Sequence, residues 1–316
     1  MYFTMLIQSL IEIYLETSVL SGNERSKRNL ATVLTKFFGQ TKVTEFCNYS
    51  RQDLIAMLTA SSIMSMNTFE SHKSKIGSFI KWLCSTGDCS EKLLDDWKSI
   101  HFSDIDRSDF FRTYYFKDFS ELYASVQDSL GGIPSEQDTF KAAATLVWFG
   151  IEVKDLPDIL KEDFHEDAGY ITHPITKRKL YLPELAVKLL SDYKHSDAFP
   201  STKFGGSMLT YPDTQYLFRT YKNAHLSAAQ ITNLSAAANR AAENSRKVFQ
   251  WNRIYLSGLF KRMLDYENQF GEIGKTNYET LKQFFERQGQ NPRKGELSQK
   301  YKEYQEFTTY MYSSSR

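Results

Sequence analysis

The sequence predicts a mainly α-helical protein of two domains with one small β-hairpin or sheet. Three observations predict it. Apolar residues recur at helical spacing through most of the 316 residues. The segment 169–183, "GYITHPITKRKLYLP", instead sets β-branched and aromatic residues on both sides of a polar tip at 174–179. A polar, turn-rich stretch, "SIHFSDIDRSDF", divides the chain, giving a helical domain over 1–105, a linker over 106–115 and a second domain over 116–316.

The elements follow in order. Residues 1–20 hold one amphipathic period, and "RSKRNLATVLTKFFGQ" predicts a second helix ended by Gly39. Ser50 suits the N-cap of "SRQDLIAMLTAS". "MNTFESHKSKIGSFIKWLCSTG" predicts a fourth helix, with Asn67 or Thr68 as cap and Gly87 as stop. Its residues Phe69, Ile76, Phe79, Ile80 and Leu83 share one face. Beyond the linker, "KDFSELYASVQDSL" ends at Gly131 and Gly132. Residues 136–149 then form an apolar helix that turns at Gly150, with a further helix starting near Val153. After the hairpin, the only strand pair expected, helices are predicted for "ELAVKLLSDY", "TQYLFRTYKNAH", "SAAANRAAENSRKVFQ", "RIYLSGLFKRMLDYENQF" and "YETLKQFFERQ".

Composition narrows the function classes. Hydrophobic residues make up 41% and charged residues 24%, the balance of a soluble globular chain. Mean hydropathy is −0.47, and no apolar run reaches the ~18 residues of a spanning helix. Glu12 and Glu16 interrupt the apolar start, which reads as an amphipathic helix rather than a signal peptide, so a cytoplasmic protein with no membrane partner is expected. Cys47, Cys84 and Cys89 are an odd set without CxxC spacing, which argues against a disulfide framework or a zinc site. The six histidines never pair at metal-ligand spacing, and no phosphate-cradling glycine motif or GxSxG elbow occurs. No metal and no cofactor are expected. Net charge is +1, but from Gln215 onward 16 lysines and arginines face 9 aspartates and glutamates. A basic C-terminal third fits a polyanion partner or a solvated basic face, and charge alone leaves both open.

The order of elements resembles that of the tyrosine recombinase, or phage integrase, family. There a helical, SAM-like core-binding domain carries a pattern to which Thr68 through Phe79 to Trp82 is similar. An integrase catalytic domain follows, opening with an apolar helix, Thr-Gly-Leu-Arg and a Glu-Leu-x-x-Leu stretch ending in Asp-Ile. Phe149 to Glu152, Asp155, Leu156, Leu160, Asp163 and Phe164 fall in that register. The resemblance spans most of the chain and implies a two-domain tyrosine-recombinase-like fold.

The family's chemistry implies a tyrosine that attacks a DNA phosphate. Two arginines and one or two histidines stabilise the phosphoryl transition state, and a hairpin lysine protonates the leaving group. In this register the first arginine falls on Glu152, and a carboxylate there repels phosphate. By its own surroundings Glu152 is alternatively a cap for the next helix or a partner of a nearby Lys or Arg. The second box, His-x-Leu-Arg-His-Ser, matches "NRIYLSGLF". It puts Asn252, Tyr255 and Leu256 where the family has histidine, arginine and histidine, and keeps Ser257. The hairpin lysine position falls near His173, with Lys177, Arg178 and Lys179 close by, and Tyr301 and Tyr304 are the candidates for the nucleophile, although no Leu-Gly-His precedes them. The implied protein is catalytically degenerate and not an enzyme.

DNA-facing residues survive better. The resemblance implies contacts from Arg25, Lys27 and Arg28, and from Thr68, His72, Lys73 and Lys75. It implies others from Lys177, Arg178 and Lys179 of the hairpin and from Arg246, Lys247, Asn252, Arg253, Tyr255, Lys261 and Arg262 around the helix that enters the major groove in the family. Taken singly, each charge also reads as a solvated surface residue. The implied function is sequence-specific binding of double-stranded DNA at operator sites, as a phage repressor or lysogeny regulator. The resemblance extends to the recombinase-fold master repressors of SPbeta-like temperate phages. That setting implies a bacterial cytoplasm with association to the nucleoid, with room for a homo-oligomer on DNA and a regulatory protein or peptide. The alternatives are a divergent active recombinase and a protein-interaction module whose C-terminal tail packs in cis or onto a neighbour.

Overall fold

Two separate hydrophobic clusters organise the chain. In the computed structural model the described residues are 7–17, 24–38, 42–61, 63, 65–131, 137–201, 205–242, 245–273, 278–288, 290 and 293–312. The chain divides into two units, Met1–Phe110 and Phe111–Arg316. The expected stops at Gly39 and Gly132 lie outside the described residues.

The first unit holds α1 (Ile7–Thr17), α2 (Glu24–Phe38), α3 (Val43–Phe46), α4 (Arg51–Ala60), α5 (Met66–Ser85) and α6 (Glu91–Lys98). Helix α5 buries Phe69, Ile76, Phe79, Ile80 and Leu83, the face its spacing predicts. Phe79 meets Phe38 edge to face, and Phe38 meets Phe37 and Phe46 the same way, so an aromatic cluster sits among the buried leucines and isoleucines. Ser50 caps α4 in a capping box with Asp53. The cap of α5 is Ser65 rather than Asn67 or Thr68, its hydroxyl accepting from the Thr68 N–H at 3.2 Å. Gly87 follows α5 with φ 79°, a left-handed stop. The cysteine expectation needs correcting. Cys47, after α3, and Cys89, between α5 and α6, form a disulfide across 42 residues, while Cys84 is free. Cysteine count and spacing do not register two turns that meet only in the fold.

The segment read as a linker is ordered. Helix α7 (Ser108–Tyr114) runs through it. Arg107, Phe110, Phe111 and Tyr115 are buried, so its polar letters alternate with core residues.

The second unit is built around α9 (Asp138–Trp148), buried at every position from Thr139 to Trp148. Helices α8 (Phe119–Leu130), α10 (Glu184–His195), α11 (Ala228–Ala241) and α12 (Trp251–Phe270) pack on it. The α9–α12 crossing is closest at Gly258, where an added Cβ would lie 1.9 Å from the Trp148 carbonyl oxygen. Strands β1 (Phe164–His165), β2 (Tyr170–Thr172) and β3 (Lys179–Tyr181) form an antiparallel sheet in that order, with Ile171 opposite Leu180. The predicted hairpin is thus present with one more strand. A second pair, β4 (Ala198–Pro200) and β5 (Met208–Thr210), goes beyond the expected single pair. Helices α13 (Tyr278–Arg287) and α14 (Lys294–Tyr312) close the chain.

Three helix expectations fail. No helix starts near Val153; the chain turns there and takes one 3₁₀ turn at Leu156–Asp158, with Pro157 inside it. "TQYLFRTYKNAH" is extended. Lys161 donates to the Gln215 carbonyl and Leu217 to the Ile159 carbonyl, while adjacent Leu217, Phe218 and Arg219 are all buried, which one helix face cannot do. Helix α11 stops at Ala241. The Asn239 side chain accepts from the Phe249 N–H at 2.8 Å and donates to its carbonyl at 2.9 Å, folding residues 245–250 back as an extended segment.

Candidate nucleic-acid interface

A cleft of about 190 Å³ in the second unit is lined by Gly150, Glu152, Asp155, His173, Arg178 and Tyr255, with Gln288 and Gln290 beyond α13. Three elements build it. The first is the turn after α9. Gly150 has φ 106°, and its N–H and that of Ile151 satisfy the Val147 and Leu146 carbonyls. This releases Glu152 outward, where its carboxylate pairs with Lys154 Nζ at 2.8 Å. Of the two local alternatives for Glu152, the ion pair is the one realised.

The second element is the hairpin tip. His173 is buried, and its Nδ1 accepts the N–H groups of Ile175 at 3.2 Å and Thr176 at 3.3 Å. Burial holds the imidazole pKa below its ordinary value, against the opposing pull of Asp155, 3.8 Å from Nε2. Burial likewise raises the Asp155 carboxyl. Arg178 donates to the Arg287 carbonyl at the end of α13.

The third element is α12. Burial pushes the Tyr255 phenol up to about 12. Arg262 donates to the Trp148 carbonyl at 2.6 Å and to Gln288 Oε1 at 3.1 Å, and burial brings its guanidinium down to about 10. It satisfies a carbonyl that α9 leaves open at its C-terminus.

Three of the family-register positions, Glu152, His173 and Tyr255, therefore share one cleft. The others lie outside its lining. Asn252 is exposed on the first turn of α12, and Leu256 is buried in the core. Ser257 is structural, accepting from the Phe116 N–H and donating to the Arg253 carbonyl. On α14, Tyr301 and Tyr304 are buried. The Tyr304 hydroxyl donates to Glu267, and burial raises the pKa of both phenols. Asp155, Gln288 and Gln290 are cleft residues that sequence reasoning did not select. Asp155 was legible only as a match of register, and nothing marks the two glutamines.

The predicted DNA-contact residues divide by what they already hold. Lys177 and Lys179 are exposed at the hairpin tip, and Arg246 is exposed before α12. Lys261 pairs with Asp265. Lys247 pairs with Glu121 at 2.8 Å and donates to the Tyr115 carbonyl, while Arg253 joins Glu303 and the Tyr115 hydroxyl. Lys247, Arg253 and Arg262 are thus engaged inside the protein, while Lys261 holds a pair at the surface. In the first unit, Arg25 and Arg28 are exposed on α2 and Lys27 is half-buried. Lys75 joins α2 by donating to Asn29 at 2.6 Å, and His72 is held low by burial and the charges of Lys75 and Lys36. Thr68 is half-buried against Ser65. Lys73 donates to the Lys98 and Ile100 carbonyls after α6. Beside it, a groove of about 440 Å³ is lined by Ser74, Ser78, Lys81 and Lys98. Among the described residues no His, Cys, Asp and Glu group is arranged to hold a metal, and no helix is long and apolar enough to cross a membrane.

No protein-family model matches the sequence, and no curated protein matches it. Among solved structures, a lambda integrase dimer bound to a COC' core site is similar at 12% identity, over 94% of this chain and 95% of that one, with a TM-score of 0.35. XerA recombinase is similar at 12% identity over 90% and 98%, with a TM-score of 0.37. The Tn1549 transposon integrase in complex with a circular intermediate DNA is similar at 10% identity over 95% of each chain, with a TM-score of 0.39.

Proposed function

We propose that this chain is a sequence-specific double-stranded DNA-binding protein, a repressor of the phage lysogeny type, on a tyrosine-recombinase-like plan without strand-transfer chemistry. One observation carries the reading. The α9 turn, the hairpin tip and α12 converge on one cleft, where Glu152 and Tyr255, the residues that the resemblance sets in its arginine register, supply a carboxylate and a phenol. Each missing transition-state donor of this kind costs roughly 10²–10³ in rate. The Tyr304 hydroxyl, engaged with Glu267, supports the same conclusion. The exposed Lys177, Lys179, Arg246, Arg25 and Arg28 supply phosphate contacts, and Asn252 suits a base edge. Mobility shifts over fragments of the source genome test the reading. Discrete, salt-sensitive shifts at promoter-proximal fragments are expected. Equal affinity for all fragments and for random DNA would sink it.

The second reading is a divergent active recombinase. The observation that favours it is that two guanidiniums, Arg178 and Arg262, electrostatically influence Tyr255 beside the cleft. Both are tied to backbone carbonyls, and a nicked suicide substrate that traps no SDS-resistant adduct eliminates it.

A further inference from the structure

The β-hairpin tip is held by a side-chain acceptor of its own, His173 Nδ1. His173 begins the tip His173-Pro174-Ile175-Thr176-Lys177-Arg178. Pro174 has no N–H to place. The next two N–H groups both point at His173 Nδ1. The Lys177 N–H reaches the His173 carbonyl at 3.0 Å, and the His173 N–H reaches the Arg178 carbonyl at 2.8 Å. Every backbone N–H from 173 to 177 is thereby accounted for, and His173 is the partner or the donor in each case. Lys177 takes φ 57°, the sole positive φ of a non-glycine among the described residues. A lysine is strained in that conformation unless its surroundings fix it. Two accepted N–H groups require Nδ1 to be unprotonated, which puts the ring proton on Nε2, toward Asp155.

We propose that His173 is a positioning residue for DNA: its Nδ1 holds the tip amides and so fixes Lys177 and Lys179 in the array that grips duplex phosphates. The inference rests on the DNA-binding reading above. The tip is basic, with Lys177, Arg178 and Lys179 in succession, and Lys177 and Lys179 are exposed while Arg178 is engaged with Arg287. A tip ordered before binding gives up less conformational freedom on the duplex.

The test uses the full chain and the genomic fragment it binds best. His173→Leu keeps bulk and removes the acceptor. His173→Asn supplies a side-chain oxygen that reaches the N–H two residues on, as in an Asx turn. Lys177→Gln/Lys179→Gln removes the charges being positioned. His173→Leu is expected to weaken binding roughly tenfold and to lower the slope of log affinity against log salt by about 2, close to one unit for each phosphate no longer neutralised. Lys177→Gln/Lys179→Gln is expected to do the same. Adding His173→Leu to that double variant is expected to change little, because the charges it positioned are gone. His173→Asn is expected to recover affinity to within about threefold of the parent, with the acceptor restored. Amide exchange at Ile175 and Thr176 is expected to quicken in His173→Leu alone, which reads the anchor without DNA. Parent-like affinity and slope in His173→Leu overturn the inference while leaving the DNA reading intact. So does an equal loss in the lysine-free background, which marks a general structural role. A parent that separates no fragment from random DNA overturns the DNA reading, and the inference with it.

Discussion

At the residue scale, His173 couples a backbone turn to pH. The charged groups facing it are Asp155, Glu152 and Lys154 from the α9 turn and Arg178 from its own hairpin. Burial dominates and depresses the pKa, so the folded state binds the proton less readily than the unfolded chain. Stability from the neutral ring is therefore complete above the ordinary histidine value of about 6.5 and is lost as pH falls through the depressed one. A proton on Nδ1 also replaces the acceptor with a donor that faces two donor N–H groups. Melting curves between about pH 5 and 7 are expected to show a steeper acid decline in the parent than in His173→Leu. Identical slopes would mean that the ring binds its proton equally well in the folded and the unfolded chain. Glu152 makes a second case. It is exposed and paired to Lys154, so it does not hold the turn together. Glu152→Gln should leave the melting temperature unchanged and tighten DNA binding a few-fold, since two like charges near 4 Å cost about 1 kcal/mol in water. Weaker binding would place the carboxylate away from the phosphates.

At the element scale, the α9–α12 crossing is the tightest joint. Gly258 brings the backbones together, and a methyl there would sit on the Trp148 carbonyl oxygen. Arg262, one turn further along α12, caps that same carbonyl. Gly258→Ala is expected to destabilise by about 1–3 kcal/mol or more, as forced overpacking does. Gly295→Ala, with open space around its Cβ in α14, is the control and should be neutral or slightly stabilising. Chemical denaturation of both variants checks the pair. Helix α14 belongs to the same scale. Phe307 of α14 is fully buried against Tyr115 and Phe260. Period and composition made α5, α9, α12 and the hairpin legible, because each carries its own burial pattern in consecutive letters. The extended run at 215–219 was not, since what decides it is pairing with Ile159 and Lys161, more than fifty residues away. The cleft was half legible. Register located Glu152, His173 and Tyr255, but that Arg178 and Arg262 are held by backbone carbonyls depends on tertiary neighbours no periodicity encodes.

At the scale of the whole molecule, charge and chemistry come apart. The chain is nearly neutral, yet its last third carries a balance of +7 and the remainder −6. A protein that grips phosphates with a handful of exposed cations should bind more weakly as salt rises, with a slope of about 0.9 per phosphate neutralised. Nucleophilic attack needs something different: a free tyrosine hydroxyl beside cationic donors. The Tyr304 hydroxyl is engaged as a hydrogen-bond donor to Glu267, and Tyr301 is buried beside it. Placing arginines at 152 and 255 should therefore strengthen the grip without producing strand transfer. Glu152→Arg/Tyr255→Arg is expected to bind duplex DNA more tightly than the parent and still to trap no SDS-resistant adduct on a nicked suicide substrate. An adduct formed by the parent and abolished by Tyr301→Phe or Tyr304→Phe would overturn the pseudoenzyme reading. An adduct seen only with arginines at 152 and 255 would mean instead that the nucleophile helix is intact and that the arginine positions alone silence the enzyme.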